Sequence, residues 1–157
     1  MNEATFSETV KRMTPQMYRV AVALLWNDAD ATDAMQEAIL RAWEKRDRLR
    51  EESKLPAWLM RILVNQCRTM LRRRKFQALP LDEAADHTSP TPPDVGLWEA
   101  LKALPEKYRL PIVMHHVEGY DLNQVAALLH LPVQTVRGRL YYARKKLREL
   151  LQEDIEA

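Results

Sequence analysis

YDLNQVAALLHLPVQTVRGRLYYARKKLRELL, residues Tyr120–Leu151, is the stretch from which the fold of this chain is predicted. Asp121 precedes an apolar helical pattern and Gln124 follows three residues later, which is the spacing of a capping box at a helix start. The pattern stops before Pro132, and proline suits a first helical position because its missing N–H has no intrahelical partner there. The stretch therefore predicts two helices joined by a tight turn, the second beginning at Pro132.

The second of these helices has one apolar face, and its other faces are polar and strongly basic. The apolar seam recurs every three or four residues, at Val133, Val136, Leu140, Ala143, Leu147 and Leu150. In a helix-turn-helix, the first turns of such a helix enter the major groove and cations further along meet phosphates. A basic face can also be merely solvated, but the turn between two short helices favours DNA. The candidate DNA-binding residues here are Asn123, Gln134, Thr135, Arg137, Arg139, Tyr142, Arg144 and Lys145.

Residues Leu97–Leu151 resemble region 4 of the extracytoplasmic-function (ECF) group of sigma-70-type sigma factors. The resemblance rests on ALPEKYR, EGYDLNQVAALLHLP and TVRGRLYYARKKLRELL, and in that family the module recognises the promoter −35 element. His130 replaces a turn glycine, Gln134 replaces the glycine of G-T-V, and Gly138 replaces a common serine. The turn can accept His130, because non-glycine residues do adopt left-handed conformations. Gly138 costs a helix about 0.5–1 kcal/mol, so either its backbone closely approaches something or the position is merely tolerated.

Composition limits the classes of protein to which the chain can belong. Of the 157 residues 29% are charged, yet the net charge is only +2, so nucleic-acid binding must come from segregated charge. The longest apolar run, Val20–Trp26, is far shorter than the ~20 residues of a membrane span, and we expect a cytoplasmic protein without membrane insertion. Cys67 is the only cysteine, which excludes an internal disulfide and a thiolate zinc cage. Three glycines and few β-branched runs predict an all-α fold.

Two helices are expected before residue 50, and the second carries an acidic face. The first spans about Ser7–Trp26, where Pro15 can bend or split it. The second runs from a cap at Asp30 or Thr32 to about Asp47.

Asp33, Gln36 and Glu37 share the outward face of this second helix. The two carboxylates repel each other by roughly 0.2–0.5 kcal/mol, partly offset by a Glu37–Arg41 pair. A basic partner would relieve the repulsion, although the helix dipole also favours acidic residues in a first turn. DAMQEAILRAW, residues Asp33–Trp43, resembles the family's D-x-V-Q-E-x-F-L-x-x-W, which docks on the β′ coiled coil of RNA polymerase. The resemblance implies that Asp33, Gln36, Glu37 and Arg41 bind the polymerase.

A third helix starts at Pro56 and is predicted to carry a cationic face. Its expected core side consists of Trp58, Leu59, Ile62, Leu63, Gln66 or Cys67, Met70 and Leu71. The residues expected to bind DNA, on the opposite side and at the basic end, are Arg61, Asn65, Arg68, Arg72 and Arg73. Cations track phosphates and the asparagine can hydrogen-bond a base edge. The alternative is a solvated helix face with a basic last turn that the dipole favours.

AWLMRILVNQCRTMLRRRK, residues 57–75, resembles the family's W-L-x-x-I-x-x-N followed by a basic end. These are regions 2.3 and 2.4, which melt and bind the −10 element. The polar loop before it, Asp47–Leu55, corresponds to the loop that in this family holds a base flipped from that element.

Residues Phe76–Val95 contain four of the nine prolines together with acidic and small residues. Such a segment favours an extended tether. We therefore expect two small helical domains, residues 1–75 and 97–157, joined by a flexible linker at 76–96. Helices are expected at Leu97–Ala103 and at Pro105–Val117, the latter ending at Gly119.

No catalytic, metal or cofactor site is predicted. His115 and His116 are adjacent, unlike the i,i+4 histidines that chelate zinc, and the chain has no glycine-rich phosphate loop, G-x-S-x-G or H-E-x-x-H. The resemblance implies a sigma factor with three partners: core RNA polymerase, through its β′ coiled coil and β flap, promoter DNA, and an anti-sigma factor. No small-molecule substrate is expected.

Three other classes of protein remain as alternatives. One is a stand-alone helix-turn-helix regulator, another is a helical adaptor whose basic faces bind only proteins, and the third is a helical nuclease, which needs a carboxylate cluster that the sequence does not offer. The N-terminal half favours the sigma factor, because a simple regulator has no use for both the acidic face and the basic third helix.

Overall fold

The computed structural model describes residues 1–77 and 95–156. The chain divides into two compact units, Met1–Ser89 and Pro90–Ala157. The described residues form seven α-helices with short 3₁₀ and π-helical turns and contain no β-strand, so the all-α prediction is confirmed.

The N-terminal unit is a bundle of three helices. They are α1, Glu3–Leu25; α2, Asp28–Glu44; and α3, Leu55–Gln77, with 3₁₀ turns at Arg46–Arg48 and Glu52–Lys54 in the predicted polar loop. Each helix contacts the other two, and side chains from all three fill the core between them: Met13, Met17, Val20, Leu24, Ala34, Ala38, Leu59, Leu63 and Cys67.

Helix α1 is longer than predicted at its start. Asn2 caps it, because its side-chain oxygen accepts the Thr5 N–H at 2.8 Å, and the helix therefore begins at Glu3 rather than near Ser7. It continues through Pro15, which lies on an exposed part of the helix surface, so no split occurs.

The prediction that Asp30 or Thr32 caps α2 is wrong. Trp26 ends α1 in a left-handed conformation with φ 51°, and Asn27 caps α2 directly, accepting the Asp30 N–H at 2.9 Å. The carboxylates of Asp28 and Asp30 thereby fall in the first turn of α2, where the helix dipole favours negative charge. The helix ends at Glu44, short of the expected end.

Helix α3 is rotated relative to its predicted core side. Trp58 and Ile62 are only half-buried, whereas Met60 and Val64, which were not predicted as core, are fully buried. Because α3 packs on both α1 and α2, its buried arc is wider than one amphipathic stripe. Trp58 is consequently placed at the edge of the face that carries Asn65.

The C-terminal unit has four α-helices: α4, Val95–Ala103; α5, Glu106–Ile112; α6, Leu122–Leu129; and α7, Val133–Glu156. A π-helical turn, Val113–Val117, continues α5. The side chains of the core are those of Leu101, Leu104, Leu110, Met114, Val125, Leu129, Val136, Leu140 and Ala143.

Two turns position these helices. The buried Arg109 of the ALPEKYR motif donates to the Leu104 carbonyl at 3.0 Å, which ties α5 to the end of α4. Pro105 is the N-cap of α5 rather than its first residue. Gly119 lies just past the π-helical turn with φ 81°, as expected for a residue that ends a helix.

The prediction of a flexible linker falls mainly on residues 78–94, which lie outside the described residues. At its two ends the structure is helical, since Phe76 and Gln77 are the last residues of α3 and Val95 is the first of α4.

Candidate functional site

Helices α6 and α7 form the predicted helix-turn-helix, and its capping box is confirmed. The Asp121 side chain accepts the Gln124 N–H at 2.8 Å, and the Gln124 side chain accepts the Asp121 N–H at 2.9 Å. Both backbone donors at this helix start are therefore satisfied, which fixes where α6 begins. Asn123, in the first turn, is exposed as expected.

The turn between the two helices depends on a left-handed residue. His130 has φ 56° and ψ 45°, and the Leu131 N–H bonds back to the Ala126 carbonyl at 3.0 Å. The Pro132 carbonyl accepts the N–H groups of Thr135 and Val136, so proline is the N-cap and α7 begins at Val133. The predicted start at Pro132 is therefore wrong by one residue.

The first turns of α7 present polar side chains outward from a well-packed apolar seam. Val136, Leu140 and Ala143 are fully buried, while the N-terminal turns expose Gln134 and Arg137. Further along the helix Lys145 is also exposed, and Thr135 and Arg139 are half-buried on the flanks.

The two tyrosines of α7 differ in their surroundings. Tyr142, which is among the predicted DNA-binding residues, packs on Tyr108 with ring centroids 4.4 Å apart and is 46% exposed. Tyr141, which is not among them, is 65% exposed. Tyr141 is four residues from both Arg137 and Lys145, so it lies on the same helix face as these cations. That spacing was visible in the sequence and could have identified Tyr141.

Arg144 lies at the margin of α7, against the π-helical turn. Its guanidinium is 3.0 Å from His116 Nε2, and because a guanidinium only donates, His116 accepts this bond as a neutral imidazole. Burial, the adjacent His115 and Arg144 itself lower the pKa of His116. His115 Nδ1 donates to the Tyr120 carbonyl at 2.7 Å. The two histidines therefore make separate local contacts, His116 with Arg144 and His115 with the Tyr120 carbonyl.

A groove of about 580 Å³ runs along the same margin. Its apolar lining comes from α4, α5, the π-helical turn and the later half of α7, and its polar rim is formed by His116, Arg144 and Arg148. Val117, on the π-helical turn, is a large apolar side chain left 43% exposed. The remaining lining residues are Leu97, Leu101, Ile112, Leu147 and Leu151.

The predicted acidic face of α2 lies on the surface of the N-terminal unit. Asp33, Gln36 and Arg41 are exposed and Glu37 is half-buried. The Arg41 Nε donates to Glu37 Oε1 at 3.0 Å, as predicted for this pair. Leu40, which the sequence analysis did not select, is 52% exposed within this face.

The predicted cationic face of α3 is also at the surface. Arg61, Asn65, Arg72 and Arg73 are exposed and Arg68 is half-buried. Arg72 donates to the Thr69 hydroxyl at 3.2 Å, and that hydroxyl donates to the Asn65 carbonyl. These bonds involve the main-chain carbonyl of Asn65, and its side chain is exposed.

Arg74 differs from the basic residues beside it because its guanidinium makes contacts within the N-terminal unit. Its guanidinium donates to the Leu25 carbonyl at 2.7 Å and pairs with the Asp30 carboxylate. It therefore ties the end of α3 to the α1–α2 junction.

Among the side chains that the structure describes, those of residues 1–76 and 96–152, no group of three or more potential metal ligands occurs. None of the helices in the described ranges 1–77 and 95–156 is long and apolar enough to span a membrane.

Comparison with known proteins assigns the chain to a family. The family described as Sigma-70 region 2 matches residues 9–77, and that described as Sigma-70, region 4 matches residues 94–147. The ECF RNA polymerase sigma factor SigM of Mycobacterium tuberculosis is 32% identical over 150 residues, covering 93% of this chain and 76% of SigM. The RNA polymerase sigma factor SigV of Bacillus subtilis is 32% identical over 143 residues, covering 88% and 86%.

Solved structures agree with these relatives. The sigma factor RpoE of Bartonella quintana, determined in complex with the anti-sigma factor NepR, is similar with a TM-score of 0.79 and 26% identity, covering 94% of this chain and 96% of RpoE. CnrH, determined in complex with the cytosolic domain of CnrY, has a TM-score of 0.75 and 28% identity, covering 98% and 91%. From these matches, the chain belongs to the ECF group of RNA polymerase sigma factors, which bind core RNA polymerase and direct transcription initiation to specific promoters.

Proposed function

We propose that three separate helix faces divide the work of a sigma factor in this chain. The acidic face of α2 docks on the polymerase, the cationic face of α3 takes the −10 element, and the exposed face of α7 binds the −35 element. These faces belong to residues 1–75 and 97–157, joined by 76–96. The chain acts by binding, in the cytoplasm, without a catalytic step of its own. The observation that carries the proposal is the capped helix-turn-helix with Gln134 and Arg137 exposed on its second helix.

Charge and exposure support polymerase docking by α2. Asp33 and Glu37 offer carboxylates one helical turn apart, and the exposed Leu40 adds an apolar contact beside them. Such a face fits a partner that is basic with an apolar centre, because interfaces combine a desolvated apolar core with a polar rim. Because Asp33–Trp43 resembles the family's docking sequence, the proposed partner is the β′ coiled coil of RNA polymerase.

A charge reversal tests the docking. Glu37→Lys should weaken binding to core polymerase while helicity is kept, because Glu37 is not among the buried residues of α2 and loss of its i,i+4 pair with Arg41 costs only about 0.3–0.5 kcal/mol. Glu8→Lys, an equal charge change at an exposed position of α1, is the matched control and should bind normally. Equal affinities of the two variants in a titration with core polymerase would remove the docking role from α2.

Binding of the −35 element by α7 predicts two signatures. Arg137, in the first turns, should read a base, and Arg137→Ala should cost about 1–3 kcal/mol on the correct sequence and much less on a scrambled one. Lys145, two turns further on, should meet phosphate. Lys145→Ala should weaken both sequences alike and reduce the salt slope by about one. Equal, uniform losses would mean that α7 only clamps the backbone.

The cationic face of α3 suits an opened −10 element. Arg61, Arg68, Arg72 and Arg73 follow a phosphate backbone, and the Asn65 amide can hydrogen-bond a base. Asn65→Ala should reduce permanganate reactivity of −10 thymines in holoenzyme without changing binding to the −35 duplex. Unchanged reactivity would contradict the assignment.

The groove of the C-terminal unit is proposed as the contact for the β flap. Its floor is apolar and its rim carries Arg144 and Arg148, so it fits an apolar helix with acidic flanks. Val117→Glu places a charge on the exposed lining residue and should weaken binding to a polymerase that retains its flap. A polymerase lacking the flap should bind the variant and the unaltered chain equally, and any other result would contradict this contact.

An anti-sigma factor is proposed as the regulator of this chain, because the similar sigma factor RpoE was determined in complex with the anti-sigma factor NepR. The function as a whole is tested by run-off transcription from genomic promoter fragments with purified core polymerase. Transcripts that depend on the added chain are expected, and their absence from all fragments would refute the function.

A further inference from the structure

Gly138 lies in the middle of the exposed face of α7. It is exposed and lies two residues from each of the buried Val136 and Leu140, so at about 100° per residue it projects away from the core. Apart from its two chain neighbours and the nearby backbone of its own helix, a Cβ at this position would meet no atom of the described residues within 4 Å. Its φ is not positive, unlike that of Gly119. Within the part of the chain that the structure describes, neither packing nor backbone conformation requires glycine here.

Glycine at this position nevertheless weakens the helix. It is the sixth residue of the 24-residue α7, well inside the helix, where glycine is less stable than alanine because the unfolded chain loses more conformational freedom. The folded chain gains nothing visible in return. Close approach of a bound molecule to the exposed face is an advantage that glycine offers and that a residue with a side chain does not.

The neighbours of Gly138 define a notch. Gln134 and Arg137 precede it on the helix surface, and Tyr141 and Lys145 follow it, all four exposed. Large polar side chains therefore surround a point where the helix backbone itself is uncovered.

We propose that this notch lets the DNA approach the backbone of α7 at Gly138 more closely than any side chain would permit. The base edges of the −35 element then contact the helix backbone at Gly138. The flanking side chains of Gln134, Arg137 and Tyr141 make the sequence-specific contacts with the bases. Gly138 is thus a specificity-determining position because it lacks a side chain. The inference rests on the proposed binding of the −35 element by α7.

The test uses the full chain with core polymerase. The probe is a duplex that the unaltered holoenzyme selects from a random-sequence pool, with a scrambled duplex of equal composition for comparison. Gly138→Ala should raise the midpoint of thermal unfolding of the C-terminal unit by roughly 4 °C, yet weaken binding to the selected duplex about tenfold or more. Binding to the scrambled duplex should change less.

Two further variants test the effect of a larger side chain and provide a control. Gly138→Ser, which adds a larger side chain, should weaken selected binding at least as much and should select a different consensus when the pool is reselected. Gln152→Ala, at an exposed neutral position near the end of α7, should change neither stability nor binding.

The outcomes are distinct. If Gly138→Ala stabilises the unit and binds the selected duplex as tightly as before or more tightly, the notch is refuted and glycine is merely tolerated. If the unaltered holoenzyme enriches no sequence at all, binding of the −35 element by α7 is refuted, and the notch with it.

Discussion

Replacing Arg74 by alanine should destabilise the N-terminal unit by about 2 kcal/mol. The guanidinium donates at 2.7 Å to the Leu25 carbonyl, at the end of α1, and a hydrogen bond from a charged group contributes about 1.5 kcal/mol. The ion pair with Asp30 adds about 0.5 kcal/mol, a low value because the two side chains are 26% and 33% exposed and water screens them.

Tryptophan fluorescence can isolate this effect. Of the four tryptophans in the chain, only Trp98 lies in the C-terminal unit, so in a Trp98→Phe background fluorescence reports unfolding of the N-terminal unit alone. With a urea m-value of about 1–2 kcal/mol/M, Arg74→Ala should lower the urea midpoint by about 1–2 M. The matched control is Arg73→Ala, one residue earlier and exposed, which should remain within about ±0.5 kcal/mol.

A double-mutant cycle separates the two contacts. If the ion pair contributes as stated, Asp30→Ala and Arg74→Ala should show a coupling free energy of about 0.5 kcal/mol. The larger remainder belongs to the bond to the Leu25 carbonyl. Equal midpoints for Arg74→Ala and Arg73→Ala would refute the structural role of Arg74.

Three further outcomes are expected. Hydrogen bonding to Asp28, with smaller effects of burial and charge, raises the pKa of Tyr18 to about 12. The protonated phenol therefore stabilises the folded state fully below about pH 10. This stabilisation is lost as the pH rises through about 12. Tyr18→Phe should remove that alkaline loss from urea unfolding, and unchanged pH profiles would contradict the bond. Asp121→Ala should cost about 1 kcal/mol, seen as faster amide hydrogen exchange in α6; unchanged protection would count against the capping box. Arg144→Ala removes a positive neighbour and should raise the pKa of His116 in an NMR titration, whereas an unmoved or lowered pKa would contradict their contact.

Features that depend on neighbours within four residues could be predicted from the amino-acid sequence alone. The capping box of Asp121 and Gln124, the left-handed His130 and the apolar seam of α7 all appear where they were predicted. Capping and amphipathic periodicity are local properties, because the interacting groups are brought together by the helix itself. The start of α2 was also a local matter, and its error came from choosing among several residues able to cap, all within Asn27–Thr32.

Contacts between distant parts of the chain determine which of several similar neighbouring residues stabilise the fold and which remain on the surface. Arg73 and Arg74 look alike in the sequence, but Arg74 is taken up by Asp30, 44 residues away. Tyr141 and Tyr142 likewise differ because Tyr108 from α5 covers one of them. A helical pattern gives the direction of a side chain only to within the width of a face, and contacts with distant helices determine how wide the buried face becomes.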